Sequence, residues 1–371
     1  MSLPDTSLNA DRSAVRLPPE RRHAEELARL TAADTDPRPA GWKLSPRAVR
    51  RFILGDEALA VSRKFYGDDP LVDRAIVTLM GHQGLMLVGE PGTAKSLLSE
   101  LLAAAISGDS GLTVQGTAGT TEDHLKYSWN YALLLAEGPS PRALVPSPLY
   151  QGMQAGRLVR IEEITRCPPE IQDVLISLMS DKQLMVPEMG EAARLFAQRG
   201  FNLIATANLR DRGVHEMSSA LKRRFNFETV QPIRDPDFEI ELISAHLRRE
   251  LDDGEAPVEV PRDVVALLVT TFQELRAGQT KEGAAIKGLD AVMSTAEAVN
   301  VAYAAALQAR HFNQGRLTPR EIAGQLQGVV LKDGLDDVKR VRHYFDTVVR
   351  ERGRRDAQWK VFHDAARALW Q

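Results

Sequence analysis

Eight residues, GEPGTAKS at 89–96, follow directly on the apolar run GLMLV at 84–88, and their types and spacing suit the handling of phosphate. A buried strand that ends in a glycine-rich loop and opens a helix turns successive backbone N–H groups, and the positive end of the helix dipole, toward one anion. In that arrangement the Lys95 ammonium reaches the terminal phosphates and the Ser96 hydroxyl offers an oxygen to Mg2+. Gly89, Glu90, Pro91, Gly92, Thr93, Ala94, Lys95, Ser96 and Leu97 form the expected binding set. Ala94 stands where the pattern has its second glycine, which is acceptable if that position keeps a negative φ, since only left-handed backbone favours glycine.

Phosphate transfer to water needs a second group of residues: an acid on the metal side and a residue that orients or polarises the water. RLVRIEE at 157–163 supplies adjacent carboxylates at the end of an apolar strand, where an open parallel sheet delivers residues to its ligand crevice. Glu162 is the expected metal-side acid, one methylene longer than the aspartate usual at that point. Glu163 is the expected residue for polarising the water. Arg160 interrupts the apolar strand and, by alternation, shares a face with Glu162, so an ion pair between them is expected.

These residues require a scaffold, and the chain supplies one in its patterning. From 45 to 235, helical stretches alternate with short apolar runs at 84–89, 111–116, 157–163, 202–208 and 225–230, which predicts a doubly wound α/β domain with a parallel sheet. From 236 to 371 only helical periodicity is found, as in FEIELISAHLRREL and RDVVALLVTTFQELRA, which predicts a smaller all-α domain. Residues 1–44, rich in Pro, Arg, Asp and Ala, are expected to form a flexible arm with one short helix at 19–31.

Composition narrows the classes further. The 371 residues carry a formal net charge of −3, so the average surface is not an attractor for nucleic acid or an anionic membrane. No apolar run is long enough to suggest a membrane span or a secretory leader, which gives the expectation of a cytoplasmic protein. The single cysteine, Cys167, excludes an intramolecular disulfide, and the 8 histidines show no ligand spacing, so no metal held by protein side chains alone is expected. The basic run RERGRRD at 350–356 is read as part of an amphipathic C-terminal region rather than a nucleic-acid patch.

Taken in order, the motifs resemble those of the MoxR-type AAA+ ATPases, the P-loop branch with an insert in helix 2. GEPGTAKS resembles Walker A, RIEEI resembles Walker B, ATAN at 205–208 resembles sensor 1, and SSALKRRFNF at 218–227 resembles the segment that carries the arginine finger. The resemblance covers residues 45–245 strongly and the helical remainder weakly. It implies ATP and Mg2+ as ligands, ATP hydrolysis, and a P-loop α/β domain followed by an α-helical lid.

Residue by residue, it makes Asn208 the sensor of the attacking water and Arg224 the finger that reaches a neighbouring subunit's γ-phosphate, with Arg223 as rival. A finger acting in trans implies a homo-oligomer, and the family implies a hexameric ring. The family also implies a protein substrate, such as a partner with a von Willebrand A-type domain, while a nucleic-acid motor and a weakly hydrolysing scaffold are the alternatives. Residues 115–152, with Tyr127, Trp129, Tyr131 and Tyr150, resemble the helix-2 insert, and 183–200 the hairpin before sensor 1. At the apparent sensor-2 position stands Ala296, with Arg316 and Arg320 as nearby basic candidates.

Overall fold

A computed structural model describes residues 14–190, 193–208, 215–252, 255–287, 289, 293–330 and 335–369. The chain divides into two compact units, Met1–Glu90 with Ala94–Val230, and Pro91–Thr93 with Gln231–Gln371.

Among the described residues the first unit carries nine strands: β1 Gly84–Gly89, β2 Thr113–Gln115, β3 Tyr127–Trp129, β4 Leu144–Pro146, β5 Leu158–Glu162, β6 Gln183–Met185, β7 Arg194–Phe196, β8 Asn202–Asn208 and β9 Phe225–Thr229. Five of them form a parallel sheet in the order β2-β5-β8-β1-β9, and β3 with β4 and β6 with β7 make two antiparallel pairs. All five runs read as buried strands lie in this sheet. Helices cover both faces, so β1, β5 and β8 are buried along their whole length and their sequences are nearly continuous apolar runs. Alternation still sorts the side chains. Leu85 and Leu87 join one core with Leu98, Leu101 and Ile204, whereas Met86 and Val88 join the other with Val159, Ile161 and Ala205.

Register brings the chemistry together. Gly89 at the end of β1 lies beside Asn208 of β8, and Glu162 at the end of β5 lies beside Gln115 of β2. The strand order places β8 between β1 and β5, so the loop after β1, the acids after β5 and Asn208 share the carboxyl edge of the sheet.

The reading of residues 1–44 as a flexible arm does not hold for residues 14–44. Helices Pro19–Arg22 and Ala24–Ala33 lie within the first unit, and Leu30, Trp42 and Leu44 are buried in the same core as Leu85 and Leu87. Asp34 closes the segment by accepting from the Ser45 backbone at 2.8 Å and its hydroxyl at 2.6 Å, while Ser45 in turn caps the helix Pro46–Leu54. The apolar residues are sparse, but three large ones at the right spacing suffice to bury the segment. Residues 1–13 of the expected arm lie outside the described residues.

The second unit is helical, as its periodicity predicts: Pro236–Glu250, Arg262–Ala277, Thr295–Phe312, Pro319–Val330, Leu335–Tyr344 and Ala357–Leu369 are its longer elements. Its core gathers Leu268, Phe272, Ala302, Leu326, Tyr344 and Phe362. Arg352, from the basic run at 350–356, points into this unit: its guanidinium donates to buried Glu274 at 2.6 and 3.0 Å and stacks over Trp359 at 4.8 Å. That arginine is a structural ion-pair partner.

Candidate functional site

The loop after β1 has the conformation of an anion cradle. Gly92 has φ 73°, left-handed backbone that suits its glycine, and the helix Lys95–Ser107 begins immediately after Ala94. Ala94 departs from expectation. It has φ 68° and ψ 24°, the left-handed conformation that only glycine adopts without penalty, so the condition under which alanine is harmless is not met. Its Cβ costs roughly 1–2 kcal/mol there, which the loop and helix around it must offset. The Lys95 ammonium donates to the carbonyls of Glu90 at 2.8 Å and Gly89 at 3.3 Å, which keeps it at the mouth of the loop. Leu97 lies in the first turn of the helix at the surface.

Glu162 and Glu163 face different partners because the strand ends between them. Glu162 is the last residue of β5 and is buried. Its Oε2 accepts from the Ser96 and Thr206 hydroxyls, each at 2.7 Å, and its Oε1 accepts from the Ser99 hydroxyl at 2.8 Å and Arg160 Nη2 at 2.6 Å. Burial pushes the Glu162 carboxyl up, but the Ser96 hydrogen bond, the Arg160 charge and the two other hydroxyls outweigh it and hold it below the usual carboxylate range. The expected pairing with Arg160 is present, and Arg160 also faces Glu100 at 3.6 Å.

Glu163 leaves the sheet in left-handed backbone, φ 56° and ψ 46°. Such strain persists only where surroundings enforce it. Two contacts do so: its N–H donates to Thr206 Oγ1 at 3.0 Å, and Gly116 N donates to the adjoining Glu162 carbonyl at 2.7 Å. A Cβ on Gly116 would run into the Glu163 carbonyl oxygen and lie 2.9 Å from that of Glu162, so only glycine lets β2 approach this turn. The Glu163 carboxylate accepts from Asn208 Nδ2 at 2.8 Å and lies 3.8 Å from Arg166. The other amide atom, Asn208 Oδ1, is buried with no hydrogen-bond partner among the described residues, an acceptor ready for a donor from outside the chain.

Thus Ser96, Glu162, Glu163 and Asn208 are brought together within one hydrogen-bonded group. Sequence reasoning missed Thr206, Ser99 and Gly116. Alternation could have found Thr206, two residues before Asn208 and on its face of β8, and helical spacing could have found Ser99, one turn beyond Ser96. Nothing local marks Gly116, whose role lies in the crossing of β2 and β5.

Arg223 and Arg224 follow the short helix Ser219–Lys222. Arg224 donates to Ser180 Oγ at 3.1 Å and to the Ala220 carbonyl at 3.0 Å, whereas Arg223 is exposed. In the insert, Tyr127, Trp129 and Tyr150 pack against the unit's own core, and the Tyr127 hydroxyl donates to Glu188 at 2.8 Å, tying the β3–β4 pair to the turn after β6. Tyr131, 70% exposed, and Leu135, 88% exposed, stand out on the helix Tyr131–Glu137, as do Met185 and Phe196 on the β6–β7 pair. Glu191 and Ala192 of the second hairpin lie outside the described residues.

In the second unit, Ala296 sits in the first turn of the helix Thr295–Phe312, capped by a reciprocal Ser294–Glu297 box. Of the nearby candidates, Arg316 pairs with Glu259 at 3.3 Å and Arg320 is exposed. Arg276, not singled out from sequence, donates to the Met293 carbonyl at 2.7 Å and to buried Glu239 at 2.9 Å, beside the start of the same helix. Among the described residues no cluster of His, Cys, Asp and Glu is placed to hold a metal, and no helix is long and apolar enough to cross a membrane.

Residues 84–225 match the AAA domain of the dynein-related subfamily, and residues 237–369 match the YehL-like AAA+ ATPase C-terminal domain. The uncharacterized protein YehL of Escherichia coli (strain K12) is 52% identical over 348 residues, 94% of this chain and 95% of that protein. An uncharacterized protein of Staphylococcus aureus (strain USA300) is 28% identical over 145 residues, 39% of this chain and 54% of its own length. Among solved structures, NtrX from Brucella abortus in complex with ADP aligns at TM-score 0.48 and 13% identity, over 81% of this chain and 64% of that one, under two thirds of its length. The Thermotoga maritima RuvB Holliday junction branch migration motor aligns at TM-score 0.45 and 14% identity, over 77% of each chain. At such scores these two likenesses add nothing to the assignment, which rests on the family models and the Escherichia coli relative.

Proposed function

The chain belongs to the YehL-like AAA+ ATPases, and from that premise we propose that it hydrolyses ATP in the manner of the MoxR type, as a homo-oligomeric, hexameric ring that remodels or assembles a protein partner. The observation that carries the reading is the meeting of Ser96, Glu162, Glu163 and Asn208 at the carboxyl edge of the sheet, next to the phosphate loop.

Each residue has a role that its geometry suits. Loop N–H groups and Lys95 take the phosphate charge. Ser96 and Glu162 form an all-oxygen donor pair that fits a hard divalent cation, and Mg2+ held there would neutralise phosphate charge during transfer. Glu163 orients the attacking water and accepts its proton. Asn208 fixes the Glu163 carboxylate through its amide N–H and offers its buried carbonyl oxygen to a water or hydroxyl. Arg224 or Arg223 of a neighbouring subunit stabilises charge on the transferring phosphoryl, a contribution worth about 10³–10⁵ in rate in systems of this kind.

Exposed apolar residues on the insert and the second hairpin, with the chain's net charge of −3, support a protein client over nucleic acid. A client with a von Willebrand A-type domain and a cytoplasmic setting are parts of the same reading and rest on the family resemblance.

Steady-state phosphate release from ATP, measured across protein concentration with Glu163→Gln as blank, tests the proposal. Turnover per subunit should rise with concentration, because the site is shared. Mixing Glu163→Gln with Arg224→Ala, and separately with Arg223→Ala, should restore activity for the variant that removes the finger. Turnover equal to the blank at every concentration would leave nucleotide as a ligand of a scaffold.

A further inference from the structure

The tip of the phosphate loop, Pro91–Thr93, belongs with Gln231–Gln371 in the second unit, and within that unit Gly92 lies against the start of the helix Thr295–Phe312. A Cβ on Gly92 would run into the side chain of Ser294 and lie 3.4 Å from Ala296 Cβ, so glycine serves this approach as well as the φ of 73°. The first turn of that helix offers no arginine, since Thr295, Ala296, Glu297 and Ala298 fill it. What it brings to the loop is a fixed surface.

That surface is held by a buried ion pair. Glu239, fully buried in the helix Pro236–Glu250, accepts from the Thr295 hydroxyl at 2.6 Å and from Arg276 Nη2 at 2.9 Å through one oxygen, and from Gln273 Nε2 at 2.8 Å through the other. Arg276, from the helix Arg262–Ala277, also donates to backbone: Nε to the Met293 carbonyl at 2.7 Å and Nη1 to the Ile233 carbonyl at 3.3 Å. The residues on either side of Ser294 are thus held by the same pair, Met293 through Arg276 and Thr295 through Glu239. Ser294 closes the corner itself: its hydroxyl accepts from the Glu297 N–H at 3.2 Å and its own N–H donates to the Glu297 carboxylate at 2.9 Å.

On these grounds, and resting on the reading of residues 89–97 as a nucleotide site, we propose that Arg276 and Glu239 are positioning residues for the phosphate loop. They seat Ser294 against Gly92 and so keep the loop tip ordered before nucleotide arrives. Loop N–H groups hold an anion only while they converge on it, and a tip that must be ordered on binding weakens affinity by that cost. Ordering the backbone of one residue corresponds to about five- to thirtyfold in affinity. A pair with a purely structural role would lower the melting temperature of its variants and leave the affinity of the folded protein as it is.

The test is titration calorimetry of ADP, in excess Mg2+, against the full chain as wild type, Arg276→Lys, Ser294→Gly and the double variant. Lysine keeps the charge but replaces the planar guanidinium fork with one nitrogen, so it cannot hold Met293, Ile233 and Glu239 together. Glycine at 294 removes the side chain that meets Gly92 and remains a workable helix cap. Each single variant should bind ADP about fivefold more weakly than wild type or worse, and the double variant should stay within about twofold of the weaker single one, because Arg276 acts through Ser294. Affinity within about twofold of wild type in a folded Arg276→Lys would overturn the proposal, and so would losses that multiply in the double variant. Should Arg276→Lys not fold, Thr295→Val, which removes the hydroxyl that joins the helix start to Glu239, takes its place under the same two criteria. No ADP binding by the wild type would remove the nucleotide reading itself, and this inference with it.

Discussion

Asn208 Nδ2 donates to the Glu163 carboxylate at 2.8 Å, while Oδ1 of the same amide is buried without a partner among the described residues. One amide therefore holds the acid and keeps an acceptor in reserve. Removing the acid removes proton transfer: Glu163→Gln should bind ATP and lose turnover by about 10²–10⁴-fold. Asn208→Ala should lower kcat with nucleotide affinity within a few-fold of wild type. Phosphate release alongside equilibrium binding checks both, and an Asn208→Ala enzyme with normal kcat would remove Asn208 from the mechanism.

Ala94 pays for its left-handed backbone, φ 68°, in stability. Ala94→Gly removes a Cβ penalty of roughly 1–2 kcal/mol and adds back part of it as unfolded-chain entropy. The expected outcome is a thermal midpoint raised by about 2–4 °C, read by differential scanning calorimetry. A lowered midpoint would mean that the alanine methyl makes packing contacts worth more than the strain.

Gly116 lets β2 approach the turn that aims Glu163. Gly116→Ala places a methyl against two carbonyl oxygens of that turn, so turnover should fall at least as far as in Glu163→Gln, with lowered stability. Gly119→Ala is the control, since its added methyl meets nothing closer than Thr117 Oγ1 at 3.9 Å. Equal activity in the two variants would show that the turn can shift without moving the acid.

Acid should release the N-terminal segment. Burial pushes the Glu26 carboxyl up, but the hydrogen bond and charge of Lys64, and the Ser62 hydroxyl, more than offset it and hold it below its ordinary 4.5. Lys64 is pinned in turn by the Phe52 and Ser62 carbonyls at 3.0 and 2.8 Å. A carboxyl depressed in the folded state contributes stability that is present above 4.5 and is lost as pH falls through its native value. Hydrogen exchange over residues 24–33 should therefore accelerate as pH falls below 4.5, after correction for intrinsic rates, and Glu26→Gln should show fast exchange at all pH values. An acid-independent rate in the wild type would show that Leu30, Trp42 and Leu44 hold the segment by themselves.

Much of this protein was legible from local pattern. GLMLVG followed by GEPGTAKS, RLVRIEE and NLIATAN each declares a buried parallel strand with chemistry at its end, because a strand covered on both faces must be apolar and its carboxyl end must meet the ligand crevice. The helical second unit was legible for a similar reason, since a period of 3.6 needs no partner to be recognised. Glu162 and Glu163 followed from their position at a strand end, and Asn208 from the family resemblance.

What the sequence could not decide depends on atoms far apart along the chain. The left-handed backbone of Ala94 and Glu163 is enforced by the loop and by Thr206 and Gly116, more than 40 residues from Glu163 in each direction of the chain, and no local propensity announces it. The burial of residues 14–44 turned on three large apolar side chains finding a core formed by other strands. The saturation of Glu162 by four donors from three elements is likewise a product of register and packing, which fix distances that sequence spacing leaves open. Local sequence determined which groups reach the sheet edge, and tertiary structure decided which of them touch, because a hydrogen bond depends on ångströms that only the assembled sheet and its helices set.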